Sequence, residues 1–137
     1  LKPMWKLTVL LLAIVGWSSH AATEKNKICY FIMDYPHGEN RIHIKSTGET
    51  YLYYGASAKH KVIKSGAFSI EKLYEQVKKN LEPNLPREQR AHPEATYGMV
   101  SLNYCSGQEK VYLAYNIETW AKAVFEKANN NIEYEGF

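Results

Sequence analysis

Residues 28–33, ICYFIM, are apolar on both faces and rich in β-forming side chains. That pattern suits a strand covered on two sides or lying at the middle of a sheet. The cluster DYPHGE (34–39), with Pro36 and Gly38, predicts a turn. Polar and apolar residues then alternate through 41–45 and again through 49–54, which predicts a hairpin. Two registers compete for it. A two-residue turn at Thr47-Gly48 would set Ile44 against Tyr51 and Ile42 against Tyr53. A type I turn with Gly48 in the left-handed position shifts the pairing by one, so that Ile42 meets Leu52 and Ile44 meets Thr50. Arg41, His43 and Lys45 then oppose Tyr53, Tyr51 and Glu49 on the other face. This register separates apolar from polar side chains and is preferred, because a slip of one residue would bury the wrong set.

Further along, KHKVIK (59–64) predicts a short strand, and Ser69 opens the helix SIEKLYEQVKKNL. Ser69 can cap the free amides, Glu71 suits the positive end, and Lys78 and Lys79 suit the negative end. Ile70, Leu73, Tyr74, Val77 and Leu81 fall on one side at helical spacing. Residues 82–96, with Pro83, Pro86 and Pro93, predict a long irregular loop, an uncommon feature that tends to be functional or disordered. YGMVSLNY (97–104) and KVYLAYN (110–116) predict a second hairpin around SGQE. A last helix over 118–129 offers Trp120, Ala121, Val124, Phe125 and Ala128 to the core, and the tail NNIEYEGF is expected to be loosely held. The elements add up to an α+β domain: an antiparallel sheet of about five or six strands with two helices packed on one face.

The amino terminus changes how this pattern is apportioned. Lys2 and Lys6 precede an apolar run from Leu7 to Trp17, and Ser19 and Ala21 have the spacing of a cleavage site. These are the parts of a secretory signal, and the run is shorter than the ~20 residues needed to span a bilayer. The expected division is a signal peptide at 1–21 and one domain at 22–137; retention of the signal as an anchor is the alternative. No integral membrane segment is expected after cleavage. Two of the 17 basic residues leave with the signal, so 15 face 14 acidic ones and the net charge falls from +3 to about +1. So small an excess argues against nucleic acid as a partner. Cys29 and Cys105 are both in the exported part, where an even count favours a disulfide. Closing so long a loop is worth ~4 kcal/mol through the unfolded state. It would also hold the first strand beside the strand that ends before Ser106. A catalytic cysteine is the rival reading, and neither cysteine has a local activating partner.

Catalytic chemistry has little to stand on. Asp34 is the sole aspartate, and His37, His43, His60 and His92 are scattered without metal-ligand spacing. Asp34 and His37 could form a hydrolytic pair with Ser57, Ser65 or Ser101, yet no nucleophile-elbow motif singles out a serine. No cofactor is expected. The 11 tyrosines are the unusual feature, since tyrosine packs a ring while keeping its hydroxyl wet and is enriched at interfaces. Arg41, His43, Tyr51 and Tyr53 on the hairpin, with Arg87, Arg90 and His92 on the proline-stiffened loop, are the candidate binding residues. Ordinary cross-strand pairing explains the hairpin set without a ligand and stays open beside that reading.

The run IHIKSTGETYLYYG followed by VIKSGAFSIEKLYEQV, within residues 42–77, resembles small exported bacterial domains of unestablished function. The layout of export signal, small domain and one disulfide also resembles periplasmic inhibitors and immunity proteins. The resemblance implies a periplasmic or secreted protein-binding module, with an inhibitor or immunity protein as its most specific form. Its expected partner is another protein of the envelope or outside the cell. A small exported hydrolase and a structural envelope component are the alternatives.

Overall fold

In a computed structural model, which describes residues 26–36, 40–54 and 61–133, the alternating segments join one antiparallel sheet. The expected signal peptide (1–21), His37, Ser57, His60 and the chain from 134 onward lie outside the described residues. The strands are β1 (Ile28–Asp34), β2 (Asn40–Lys45), β3 (Thr50–Tyr54), β4 (Lys61–Ile63), β5 (Leu81–Pro83), β6 (Tyr97–Tyr104), β7 (Glu109–Tyr115) and β8 (Ile132–Glu133). The helices are α1 (Ile70–Val77) and α2 (Glu118–Asn130). The spatial order is β5-β7-β6-β1-β2-β3-β4-β8, which puts β1 in the interior of the sheet.

The sheet has eight strands where the pattern predicts five or six. Both additions are at the edges and are too short to show a period of two. β5 carries a proline and borrows its pairing from β7; β8 is two residues paired with β4. Ile132 and Glu133 are therefore tied into the sheet, contrary to the expectation of a loose tail. The α1 helix also stops sooner than its pattern suggests. A 3-10 turn occupies Lys78–Asn80, the Asn80 amide donates to the Tyr115 carbonyl at 2.9 Å, and Leu81 is already extended.

Side-chain alternation sorts the two faces. Phe31 and Met33, Ile42 and Ile44, Leu52, Ile63, Val100 and Leu102 point to one side, where α1 and α2 cover them with Ile70, Leu73, Val77, Ala121, Val124 and Ala128. Ser69 caps α1 by accepting from the Lys72 amide. Trp120 on α2 donates to Gln76 on α1 at 2.9 Å, joining the helices over this core. Among the described residues, no helix lies on the opposite face. Coverage of β1 is thus one-sided, and the surplus apolarity of ICYFIM reflects its central place.

The hairpin takes the bulged register: Ile42 meets Leu52, His43 meets Tyr51 and Arg41 meets Tyr53. Gly48 has φ +89°, its amide donates to the Lys45 carbonyl at 2.9 Å, and the Lys45 amide donates to the Glu49 carbonyl at 2.9 Å. The β6–β7 turn repeats this plan around Gly107, with φ +95°. Cys105 in that turn is bonded to Cys29 on β1, the expected disulfide, and β1 and β6 are neighbours as it requires.

The two glycines differ in surroundings. A Cβ on Gly48 would approach the Gly66 amide nitrogen at 2.8 Å, whereas one on Gly107 would meet open space. Gly107→Ala is expected to cost roughly 1–2 kcal/mol for the left-handed backbone alone. Gly48→Ala is expected to cost more. Urea midpoints compare them directly, and equal losses would mean that the Gly66 contact contributes nothing.

Candidate functional site

Because successive strands are in antiparallel register, the helix-free face is organised in rows across the sheet. One row runs Glu82, Leu113, Met99, Asp34, Arg41, Tyr53 from β5 to β3. The next runs Val111, Ser101, Ile32, His43, Tyr51, Val62 from β7 to β4. The first row ends beneath the 84–96 segment, and the second is an open aromatic and aliphatic strip.

In the strip, the ring of His43 lies between Tyr30 and Tyr51, with centroid separations of 5.4 and 6.2 Å. Lys45 stands 5.3 Å from the centre of the Tyr51 ring. The Tyr51 hydroxyl donates to Glu49, which also pairs with Lys45 at 3.4 Å. Burial between the two rings, then the charges of Lys45 and Arg41, push the His43 imidazole below its ordinary value. Its Nε2 is buried without a hydrogen-bond partner among the described residues. Tyr30 and Met99 are exposed large side chains on the same face.

The 84–96 segment is folded rather than disordered. A 3-10 turn spans Arg87–Gln89, and the arm closes on itself through Arg87 Nε to the Pro93 carbonyl (3.3 Å) and Arg90 Nε to the Leu85 carbonyl (3.0 Å). Tyr97 anchors its far end, its hydroxyl lying 2.9 Å from the His92 carbonyl and 3.0 Å from Glu82 Oε1. Burial first, then the Glu82 carboxylate, raises the Tyr97 phenol above its ordinary value. The one hydroxyl proton serves two acceptors, and Glu82 Oε2 is buried with no partner among the described residues. A buried carboxylate is costly without donors, so Tyr97 is the group that makes this corner tolerable.

Between the arm and the sheet lies an open cleft of about 670 Å³. Arg41, Arg87 and Arg90 line it together with Asp34, Glu94, Tyr97, Met99 and Leu113. Arg41 is committed to Asp34 by a two-pronged pair, Nε to Oδ1 at 2.6 Å and Nη2 to Oδ2 at 3.1 Å. That contact holds its guanidinium above its ordinary basicity. Arg90 lies over the Tyr97 ring, 4.9 Å from its centre.

The sequence-derived candidates therefore divide into groups. Arg41, Arg87 and Arg90 share one cleft. His43 and Tyr51 lie beside it on the open strip, and Tyr53 lies opposite Arg41 in the first row. His92 is not among the cleft-lining residues; its ring packs against Tyr115 at 4.1 Å, tilted by 34°, and helps fasten the arm. Sequence reasoning missed Tyr30, Glu94, Tyr97 and Met99 as site residues. Tyr30 shares parity with Asp34 along β1, and the disulfide places β6 alongside; those two signals together would have found Tyr30 and Met99. Both Asp34 oxygens are bonded to Arg41, and the expected catalytic partner His37 lies outside the described residues. Among the described residues no three His, Cys, Asp or Glu side chains are grouped to hold a metal ion. Among those residues, too, no helix is long and apolar enough to cross a membrane. Compared with known proteins, the chain matches no family model, no curated protein and no solved structure.

The state of His43 is open to measurement. Above about pH 6.5 the imidazole is neutral in both folded and unfolded chains. As the pH falls below this, the unfolded chain binds the proton first, so stability declines until the lower folded value is passed and then levels off. Ring-proton NMR is expected to show His43 titrating below the ordinary value, and His43→Gln to flatten part of the loss of urea resistance between pH 7 and 5. A midpoint at or above the ordinary value would contradict the desolvated setting.

Proposed function

We propose that the chain is an exported protein-binding module, acting in the periplasm or outside the cell, and that its most specific form is an inhibitor or immunity protein. The observation that carries this reading is the helix-free face. A sheet normally buries what apolar surface it can, yet among the described residues one face has no covering layer over the strip Tyr30, His43 and Tyr51, exposed Met99, and an arginine-lined cleft at its end. Tyrosine, methionine and arginine are the residue types enriched at protein interfaces, and a self-fastened arm loses little entropy on docking. The ion pairs Asp34–Arg41 and Lys45–Glu49 cancel charge on the strip, which favours a protein surface over a polyanion such as nucleic acid. The partner proposed is a folded protein presenting an acidic segment to the arm. The Cys29–Cys105 bridge supports export, because such bonds persist in oxidising compartments.

Intact-mass analysis of protein from the producing cell tests export. A chain trimmed near Ala21 and lighter by two hydrogens is expected; full-length chain with two free thiols would refute it. Docking is tested by affinity capture and hydrogen-exchange footprinting with the captured protein. Tyr30→Asp and Arg90→Ala are each expected to weaken capture about tenfold or more, while Glu126→Ala on α2 leaves it unchanged. Protection over the helices, or co-purification with cell-wall material indifferent to all three, would point to a structural envelope role instead.

A further inference from the structure

We propose that the cleft beneath the 84–96 arm receives one carboxylate, the side chain of an aspartate or glutamate on an acidic segment of the docked protein. This deepens the docking reading above and rests on it. The cleft arginines are not equivalent. Arg41 has its Nε and Nη2 engaged by Asp34. Arg87 and Arg90 each donate Nε to a carbonyl of their own arm, and Arg90 also lies over the Tyr97 ring, 4.9 Å from its centre. These contacts fix the planes of the two guanidinium groups while leaving the paired Nη edges of both without a partner among the described residues. A planar fork held in this way is arranged to meet a carboxylate through two parallel hydrogen bonds.

Charge decides which anion fits. The lining contains three arginines against Asp34 and Glu94, so three minus two leaves a single positive charge. Glu94 forms no ion pair with the arginines among the described residues and would repel a dianion. A monoanionic carboxylate is therefore favoured over a phosphate. The remaining wall, Leu113, Met99, Ala95 and the Tyr97 ring, is apolar and suits the methylene stem of an acidic side chain with its flanking backbone. A volume of about 670 Å³ lies within the usual range for ligand clefts and exceeds the need of one carboxylate group, which indicates a peptide segment rather than a free ion.

The test titrates the oxidised protein, as isolated from the producing cell, with an acetylated and amidated peptide of alternating alanine and glutamate, followed by amide NMR. Saturable shifts are expected at residues 95–99, with no shifts from the glutamine version of the peptide. Arg87→Gln, an exposed change, is expected to weaken binding several-fold, and Arg87→Gln with Arg90→Gln about tenfold or more. Arg87→Lys with Arg90→Lys keeps the charge and is expected to recover only part of the affinity. Amide spectra of the free variants confirm their folding. Equal binding of the glutamine peptide, wild-type affinity in the double glutamine variant, or no shifts at residues 95–99 would overturn the proposal. So would inorganic phosphate binding there more tightly than the peptide. If these fail while Tyr30→Asp still abolishes partner capture, the carboxylate subsite is wrong and the docking face stands. If capture is indifferent to Tyr30→Asp, the docking reading itself is lost.

Discussion

Strand β1 is paired along both edges, to β2 on one side and β6 on the other, and the two halves of the sheet meet through it. Both of the long side-chain rows on the helix-free face cross this strand, so the relative position of Arg41 and Met99 is set by where each lies opposite Asp34. A slip of one residue on either edge would turn Asp34 from Arg41 or exchange Met33 for Ile32 in the core. The disulfide acts at the start of the same strand. Cys105 sits in the β6–β7 turn, its amide donates to the Lys27 carbonyl at 2.8 Å, and the Ser46 amide of the other turn donates to the Cys29 carbonyl at 2.8 Å. Both hairpin turns are thereby docked on one end of β1. The cross-link holds a register rather than merely shortening an unfolded loop.

From this constraint follows the difference between the two faces. Residues of α1 and α2 complete the core on one side, and the described chain has no comparable layer for the other. Among the described residues the 84–96 arm alone crosses it, at the end where β5 and β7 meet. There it buries Leu113 and Tyr97, side chains that point away from the helices. The cleft is the gap left between a short arm and a wide sheet, and its arginines come from the arm and from β2. Arm conformation and sheet register must both be right for those side chains to share one volume.

Much of this was legible in the sequence, and the failures have identifiable causes. The bulged hairpin could be read because Thr47-Gly48 and the alternation on both sides agree on one pairing. The disulfide could be read from an even cysteine count behind an amino terminus with the pattern of a secretory signal. The edge strands β5 and β8 could not, because three and two residues carry no periodicity and their order comes from β7 and β4. The cleft was half legible. Arg87 and Arg90 were marked by lying on a proline-rich loop, and Arg41 by lying on the polar face of the hairpin. Nothing in the sequence showed that the loop folds back over that face, because the fastening depends on long-range partners: Tyr97 to the His92 carbonyl, and His92 on Tyr115. Nor could the sequence show that the His92 ring packs against Tyr115.

The two chemistries on the open face have different physical ranges, and this bears on how they would act together. The pair between Arg41 and Asp34 is at the surface, with the Arg41 side chain 55% exposed, so it adds little to stability. Its larger effect is to remove one positive charge from the cleft and hold that guanidinium still. The field of the face then comes chiefly from Arg87 and Arg90, and physiological salt confines it to about 8 Å. Such a field orients a partner already close at hand; it does not supply the bulk of the affinity. The strip of Tyr30, His43 and Tyr51 has the complementary property, since ring burial is insensitive to salt but tolerant of small shifts along the sheet. Held 5.4 and 6.2 Å apart by the strand pairing, these rings offer area without choosing a register. Fixed guanidinium forks at one end of the strip supply the missing choice, because two parallel hydrogen bonds tolerate far less displacement than stacked rings do.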